Sequence, residues 1–364
     1  MIKIATYTDK HWTEKAMKKL LVVRNDKIGD FMLAWPSFAM LKASMPDCHI
    51  TALVPTYTVA LARLCPWIDA VLVDCGKRAE KSEQRKLVAD IKAQQFDASI
   101  NLFSTTYNAK LVWQAKIPYR LAPATKLAQV FYNKRVKQKR SQSAKPEFEY
   151  NLDLVRAFLR DSGTAIVEPS APYLTFTDEQ LTAQKAKLAE QLKISTERPW
   201  LFVHAGSGGS ANNLSLTQYS TLIAGIEEGR EVVLTAGPGE EAKAHELQEL
   251  VQEQGFQASV YDKNDGLVDF ATSLACADCF IAGSTGPLHI SAAIDVPTVG
   301  FFPSKRSATP LRWQPINSGG KHIAFCPPPA DDKHSQEDMT RIEIEPVLAK
   351  LNPWLISVIP EAAQ

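Results

Sequence analysis

Three short stretches of this chain gather glycine, hydroxyl and charged residues where an apolar run stops. The first is RNDKIGD, Arg24 to Asp30, directly after KLLVV. Gly29 permits close backbone approach or positive φ, and Asp30 falls where an apolar, helix-like run begins. Free N–H groups and the dipole at a helix start keep a carboxylate ionised. An ionised carboxylate can take a proton from a hydroxyl, although Asp is also an ordinary helix cap. The second stretch is HAGSGGSANNLS, after the apolar WLFV. Gly206, Gly208 and Gly209, with Ser207 and Ser210, offer backbone donors to an anion. The loop also fits a loose G-x-G-x-x-A dinucleotide fingerprint, but no clear acid ends the next run, EVVLTAG. The third is AGSTGPLHISAA. There Gly283, Ser284, Thr285 and Gly286 lead into Pro287, a first-turn residue. Hydroxyls and free N–H groups at such a turn make a phosphate seat, and His289 is expected to project from the same turn, within reach of a phosphate.

Two further features bear on partners. The stretch Lys126 to Lys145 carries Lys126, Lys134, Arg135, Lys137, Lys139, Arg140 and Lys145, and no acid. The whole chain has a net charge of only +1. A global field that would bind nucleic acid is therefore excluded, and the basic stretch is a local asymmetry. It is expected to be a landing patch for an anionic acceptor, with Val130, Phe131 and Tyr132 adding apolar contact; the plain alternative is a solvated loop. Six cysteines, at 48, 65, 75, 276, 279 and 326, are too sparse for a disulfide scaffold and suit a reducing cytoplasm. The pair Cys276 and Cys279 has neither a second pair nor a nearby His to complete a zinc site, so no metal is expected.

The elements that must position these residues alternate. KLLVVR, CHITALV, AVLVD, DASINLF and YRLA read as strands separated by helix-like segments. The first helix-like segment is FMLAWPSFAMLKAS, and YNLDLVRAFLRDSG ends the series. The stretch VEPSAPYLTFTDEQ, rich in Pro, Ser and Thr, reads as a linker. The alternation then restarts with PWLFVHAG, EVVLTAG, CFIAG and PTVGFF, the last of which closes the second series. Fully apolar strands alternating with helices predict parallel sheets covered on both faces. With 364 residues, two domains are expected: 1–170, and 171–342, with a final helix over 343–364 folding back on the first. Ligands in such folds sit beyond the carboxyl ends of the strands, which makes an interdomain cleft the default site. No apolar run reaches the ~20 residues that span a bilayer, and residues 1–19 lack an apolar core and a cleavage site, so no signal peptide is expected.

Taken together, these turns resemble glycosyltransferase family 9, the lipopolysaccharide heptosyltransferases. The resemblance lies in Arg24, Gly29, Asp30 and Pro36, then HAGSGGSANN, AGPGEEAKAHEL, AGSTGPLH and AAIDVPTVGFF, an Arg beside RWQP, and the closing MTRIEIEPVLAKL. It implies a GT-B fold, two Rossmann-like domains facing a central cleft, with donor in the second and acceptor in the first. It implies inverting, metal-independent transfer of heptose from ADP-heptose to an anionic Kdo-lipid A acceptor, no cofactor, and a cytoplasmic enzyme in peripheral contact with the inner membrane. By the same resemblance Asp30 is the general base, and Arg24 and Lys27 steady acceptor anions beside Lys134, Arg135 and Lys137. Thr285, Gly286 and His289 hold the departing diphosphate, Gly206, Ser207, Gly208, Asn212, Ser284 and Pro287 complete the nucleotide-sugar site, and Glu240 or Glu241 meets the nucleoside. Two positions depart from the family pattern: Asn212 stands for a Lys, and Ser284 for an Asp. The competing expectations are a nicotinamide-dependent oxidoreductase and a non-catalytic protein of the same fold that binds a nucleotide-sugar or lipopolysaccharide.

Overall fold

Strand β1 (Lys19–Val23) is buried over its last four residues. That burial is what a central parallel strand covered on both faces requires. The computed structural model describes residues 18–125, 127–209, 212–226 and 229–359. The stretch read for a signal peptide, apart from its last two residues, and Lys126 and Ser210 lie outside the described residues. After β1 come helices α1 (Ile28–Met32) and α2 (Trp35–Ser44), then β2 (His49–Pro55), α3 (Val59–Leu64) and β3 (Ala70–Asp74). Next are α4 (Lys81–Ala93), β4 (Ala98–Asn101), α5 (Thr106–Gln114), β5 (Tyr119–Pro123), β6 (Lys134–Val136) and α6 (Glu147–Asp161). The second series runs α7 (Asp178–Leu192), β7 (Trp200–His204), α8 (Leu216–Gly225), β8 (Glu231–Thr235), α9 (Glu241–Glu253) and β9 (Ser259–Tyr261). It continues through α10 (Leu267–Leu274), β10 (Cys279–Gly283), α11 (Gly286–Ile294), β11 (Thr298–Phe301), β12 (His322–Phe325), α12 (Lys333–Glu337) and α13 (Ile344–Val358).

Each series forms its own parallel sheet. The orders are β3-β2-β1-β4-β5-β6 and β12-β11-β10-β7-β8-β9. Read from β9, the second repeats the first, and both follow the dinucleotide-fold order with its switch point between the first and fourth strands. The chain divides into two units: one through Lys27 plus Ala34–Lys139 and Phe148–Pro169, the other Ile28–Leu33, Arg140–Glu147 and everything from Ser170. Helix α1 belongs with the second unit, which resumes at Ser170.

Four differences from the sequence reading have physical reasons. The run FMLAWPSFAMLKAS is two helices, because Pro36 lacks an N–H and fits only the first turn of α2. Strands β6, β9 and β12 add to the expected set, so PTVGFF does not close the second series; they are edge strands of three or four residues, too short to carry a period. The expected return of helix 343–364 to the first domain is corrected: Val347, Leu351 and Leu355 of α13 lie in the second unit's core with Tyr219, Leu222 and Ile223 of α8. The amphipathic pattern identified the helix but not its partner face. Tyr132 is buried, its hydroxyl 3.5 Å from Ser104, so it adds no surface contact.

Candidate active site

In the second unit, β7 ends in the buried His204 and opens into the glycine-rich loop. Gly208 and Gly209 there have φ of +53° and +67°, the left-handed region that favours glycine. The loop's donors are directed at a carboxylate from within the chain. The N–H groups of Ser207 and Gly208 donate to Glu240 Oε1 at 2.6 and 2.7 Å. A methyl on Gly206 would fall 2.0 Å from Glu240 Oε2, so glycine is required for this close approach. Burial raises the Glu240 pKa, but the Gly208 N–H, the nearby His204 and the other backbone donors outweigh it, and the net shift is downward. His204 Nδ1 lies 3.1 Å from the Thr235 carbonyl, and its Nε2 lies 3.6 Å from Glu240 Oε2. Burial lowers the His204 pKa and outweighs the attraction of Glu240.

Asn213, which sequence reasoning passed over in favour of its neighbour, ties this loop down. Its Nδ2 donates to the carbonyls of Ala205 and Gly206 at 3.0 and 3.1 Å. Its Oδ1 accepts the Tyr219 hydroxyl of α8 at 2.6 Å. A methyl on Gly283, at the end of β10, would stand 2.7 Å from that same Oδ1. The only sequence signal was the Asn pair after the glycines. Asn212 turns outward and donates to the Glu337 carbonyl at 2.8 Å.

The turn after β10 meets α1. Thr285 stands at the N-terminal cap of α11 and is buried, and no hydrogen-bond partner among the described residues reaches its Oγ1. Gly286 and Pro287 form the first turn, and Ser284 donates its N–H to the Phe301 carbonyl at 3.1 Å. The expectation that His289 reaches outward from the turn is corrected. Its ring is 2% exposed and packs on Gly29, where an added methyl would lie 2.9 Å from Cδ2. Burial, with a smaller contribution from His322, lowers its pKa to about 3, so the ring is neutral. A methyl on Gly286 would meet Ile28 Cγ2 at 3.1 Å. The glycines of the first and third motifs thus allow α1 and α11 to approach. Asp30 is half-buried in the first turn of α1, and Glu241 opens α9.

In the first unit, Arg24 is 2% exposed. Its guanidinium bonds Asp26 at 2.9 Å, and the Leu102 carbonyl and Asn151 at 3.3 Å each. It braces the strand-end loop, while Lys27 is exposed. Asn25 exchanges amide hydrogen bonds of 2.8 Å with Asn108 and donates to Asp74 at 2.6 Å. Of the basic stretch, Lys134 pairs with Asp161 at 3.2 Å, and Arg140, which belongs to the second unit, pairs there with Glu147 at 2.7 Å. Arg135 and Lys137 are exposed.

Comparison with known proteins completes the description. The model of glycosyltransferase family 9 (heptosyltransferase) matches residues 84–342. A Haemophilus influenzae protein that carries a provisional glycosyltransferase name is 56% identical, covering 93% of this chain and 97% of its own. Lipopolysaccharide heptosyltransferase 2 of Escherichia coli is 24% identical over 80% of this chain and 85% of its own. Among solved structures, a family 9 glycosyltransferase from Veillonella parvula superposes with a TM-score of 0.77 at 17% identity, over 96% of this chain and all of that one. The E. coli ADP-heptose heptosyltransferase II superposes with a TM-score of 0.72 at 20% identity, over 94% and 99%. The two sheets are those of a GT-B fold.

Proposed function

This chain belongs to glycosyltransferase family 9, and from that membership we propose that it moves heptose from ADP-heptose to the anionic inner core of lipopolysaccharide, the Kdo-lipid A region. It is a glycosyltransferase; the donor and acceptor are the proposed part. The acceptor hydroxyl attacks the anomeric carbon while the bond from that carbon to the diphosphate oxygen breaks. Asp30 takes the hydroxyl proton, and the diphosphate leaves with the bonding pair. Thr285 and the opening N–H groups of α11 meet the growing charge, because a helix start and a hydroxyl stabilise an anion. The observation that carries this reading is the contact of Gly29 with His289. It joins the Asp30 helix to the helix of the phosphate seat within one unit. His289, being neutral, braces that contact without repelling an incoming cation. The Glu240 carboxylate is oriented by two N–H groups of the glycine-rich loop, and its proposed role is to accept from ligand hydroxyls.

The acceptor side of the proposal rests on charge. Residues 98–146 contain ten Lys and Arg and no Asp or Glu. Arg135, Lys137 and Lys139 are exposed, and so are Leu127 and Val130, at 85% and 69%. Exposed cations beside apolar side chains suit the surface of an anionic membrane. No helix among the described residues is long and apolar enough to cross one. The enzyme is proposed to act from the cytoplasmic face of the inner membrane as a peripheral protein. The test is direct: purified protein, ADP-heptose and a Kdo-lipid acceptor, with released ADP and a one-heptose gain in acceptor mass as readouts. Transfer from a UDP- or GDP-sugar, with none from ADP-heptose, would overturn the donor assignment. Binding of ADP with no transfer to any acceptor would favour the non-catalytic reading.

A further inference from the structure

A departing nucleoside diphosphate gains negative charge as its bond breaks, and the site must offset that charge. The two strand-end loops of the second unit are short of positive charge. Residues 204–209, 212–215 and 283–289 contain no Lys or Arg. His289 is neutral, with its pKa held at about 3 by burial. Glu240 adds a carboxylate whose pKa is shifted down, chiefly by backbone donors that overcome its burial. A cation that adds to the N–H groups of α11 therefore comes from another segment.

The loop that leaves β11 carries Lys305 and Arg306 near its start, while Arg312 and Lys321 further on pair with Glu147 and Asp295. β11 is the strand beside β10, and parallel neighbours send their following loops to the same edge of the sheet. Lys305 lies on this loop, with its Nζ 2.7 Å from Glu337 Oε1. Glu337 ends α12, and its backbone carbonyl accepts the Asn212 amide at 2.8 Å. The neighbouring Ser304 N–H donates to the Gln336 carbonyl at 2.9 Å. One short helix thus ties Lys305 to the glycine-rich loop. The ion pair is open to water, with side chains 31% and 34% exposed. Such pairs are weak, so little stability is lost when the ammonium leaves.

We propose that Lys305 is the phosphate-binding cation of the donor site, exchanging Glu337 for the diphosphate when the nucleotide-sugar binds. This rests on the reading of these loops as the nucleotide-sugar seat. Glu337 then acts as a placeholder that keeps the ammonium near Asn212, where the loop itself has only an amide. The rival source of charge is Lys243, an exposed residue in the first turn of α9 whose field reaches His204.

The experiment is calorimetry with ADP and AMP on the full chain, together with donor kinetics. Lys305→Gln should weaken ADP binding by about tenfold, the size of one charge-assisted contact, and should weaken AMP binding less. It should raise the donor KM more than it lowers kcat. Lys305→Arg should stay near wild type. Asn212→Lys in the Lys305→Gln background should recover ADP affinity, because it restores a cation on the loop that Glu337 touches. Unchanged ADP affinity in Lys305→Gln, or a loss seen instead in Lys243→Gln, overturns the proposal. If the wild-type protein binds none of ADP, UDP and GDP, the nucleotide-seat reading itself has failed, a result separate from a wild type that binds and a variant that binds equally well.

Discussion

Asp30 and Glu240 are carboxylates at helix starts in the same unit, and substitution should separate their roles. Asp30→Asn keeps the shape but loses the basic oxygen, so turnover should fall by ~10²-fold or more while ADP affinity by calorimetry stays at the wild-type value. Retained turnover would remove Asp30 as the base. Glu240→Gln keeps an acceptor for Ser207 and Gly208 but removes its charge, and should cost about 1 kcal/mol of stability, the difference between charged and neutral hydrogen bonds. The buried imidazoles set the response to acid. His289 and His322 are lowered by burial from 6.5 to about 3 and about 4, and His204 is lowered for the same first reason. Between about pH 6.5 and 4 the unfolded chain therefore binds more protons than the folded one, and stability falls as pH falls. Glu240 acts in the same direction at lower pH: its contribution is present above its unfolded value of 4.5 and is lost as pH falls through its depressed folded pKa. Scanning fluorimetry from pH 7.5 to 5 should show a declining midpoint, and His322→Gln should flatten the decline. A level midpoint in the wild type would contradict the burial argument.

At the scale of elements, the glycine-rich loop, α8 and the end of β10 are joined by one amide. Asn213→Ala would strand the Tyr219 hydroxyl and the two loop carbonyls, at a cost of about 1–3 kcal/mol. Gly283→Ala would push a methyl against the same oxygen and should cost about 1–3 kcal/mol through overpacking. If Asn213 is the shared cause, urea midpoints of the double variant should show less than the sum of the two losses. Additive losses would mean that the two positions act separately. Helix α13 offers a second test. Leu351 is fully buried in the second unit's core, so Leu351→Ala should destabilise by about 2–5 kcal/mol. A denaturation curve indistinguishable from wild type would contradict that burial.

For the whole molecule, near-neutral net charge conceals an uneven distribution. Lys134 and Arg140 are committed to Asp161 and Glu147. Among the described residues of the basic stretch, Arg135, Lys137 and Lys139 are exposed. Changing these three to Gln should reduce binding to liposomes of anionic lipid by roughly 1 kcal/mol per charge near the surface. It should also raise the acceptor KM and flatten its salt dependence, with ADP affinity unmoved. Wild-type liposome binding in this variant would leave the stretch as a solvated loop.

Much of the architecture could be read from local pattern. A buried strand is an apolar run a few residues long, a covering helix repeats every three to four residues, and Gly, Pro and Ser mark the ends. Those signals located β1 through β5, the restart after residue 170 and the three strand-end motifs. They could not locate β6, β9 and β12, whose few residues are set by neighbouring strands. They also could not decide which surface a helix would meet. Only the fold assigned α1 to the second unit and α13 to the core beside α8. Only the fold directed Glu240 into the glycine-rich loop and buried His289 on Gly29. Each of these outcomes depends on residues far apart in sequence, brought together by sheet order and close packing, and a glycine shows what it makes room for only when the group that fills the space is in place.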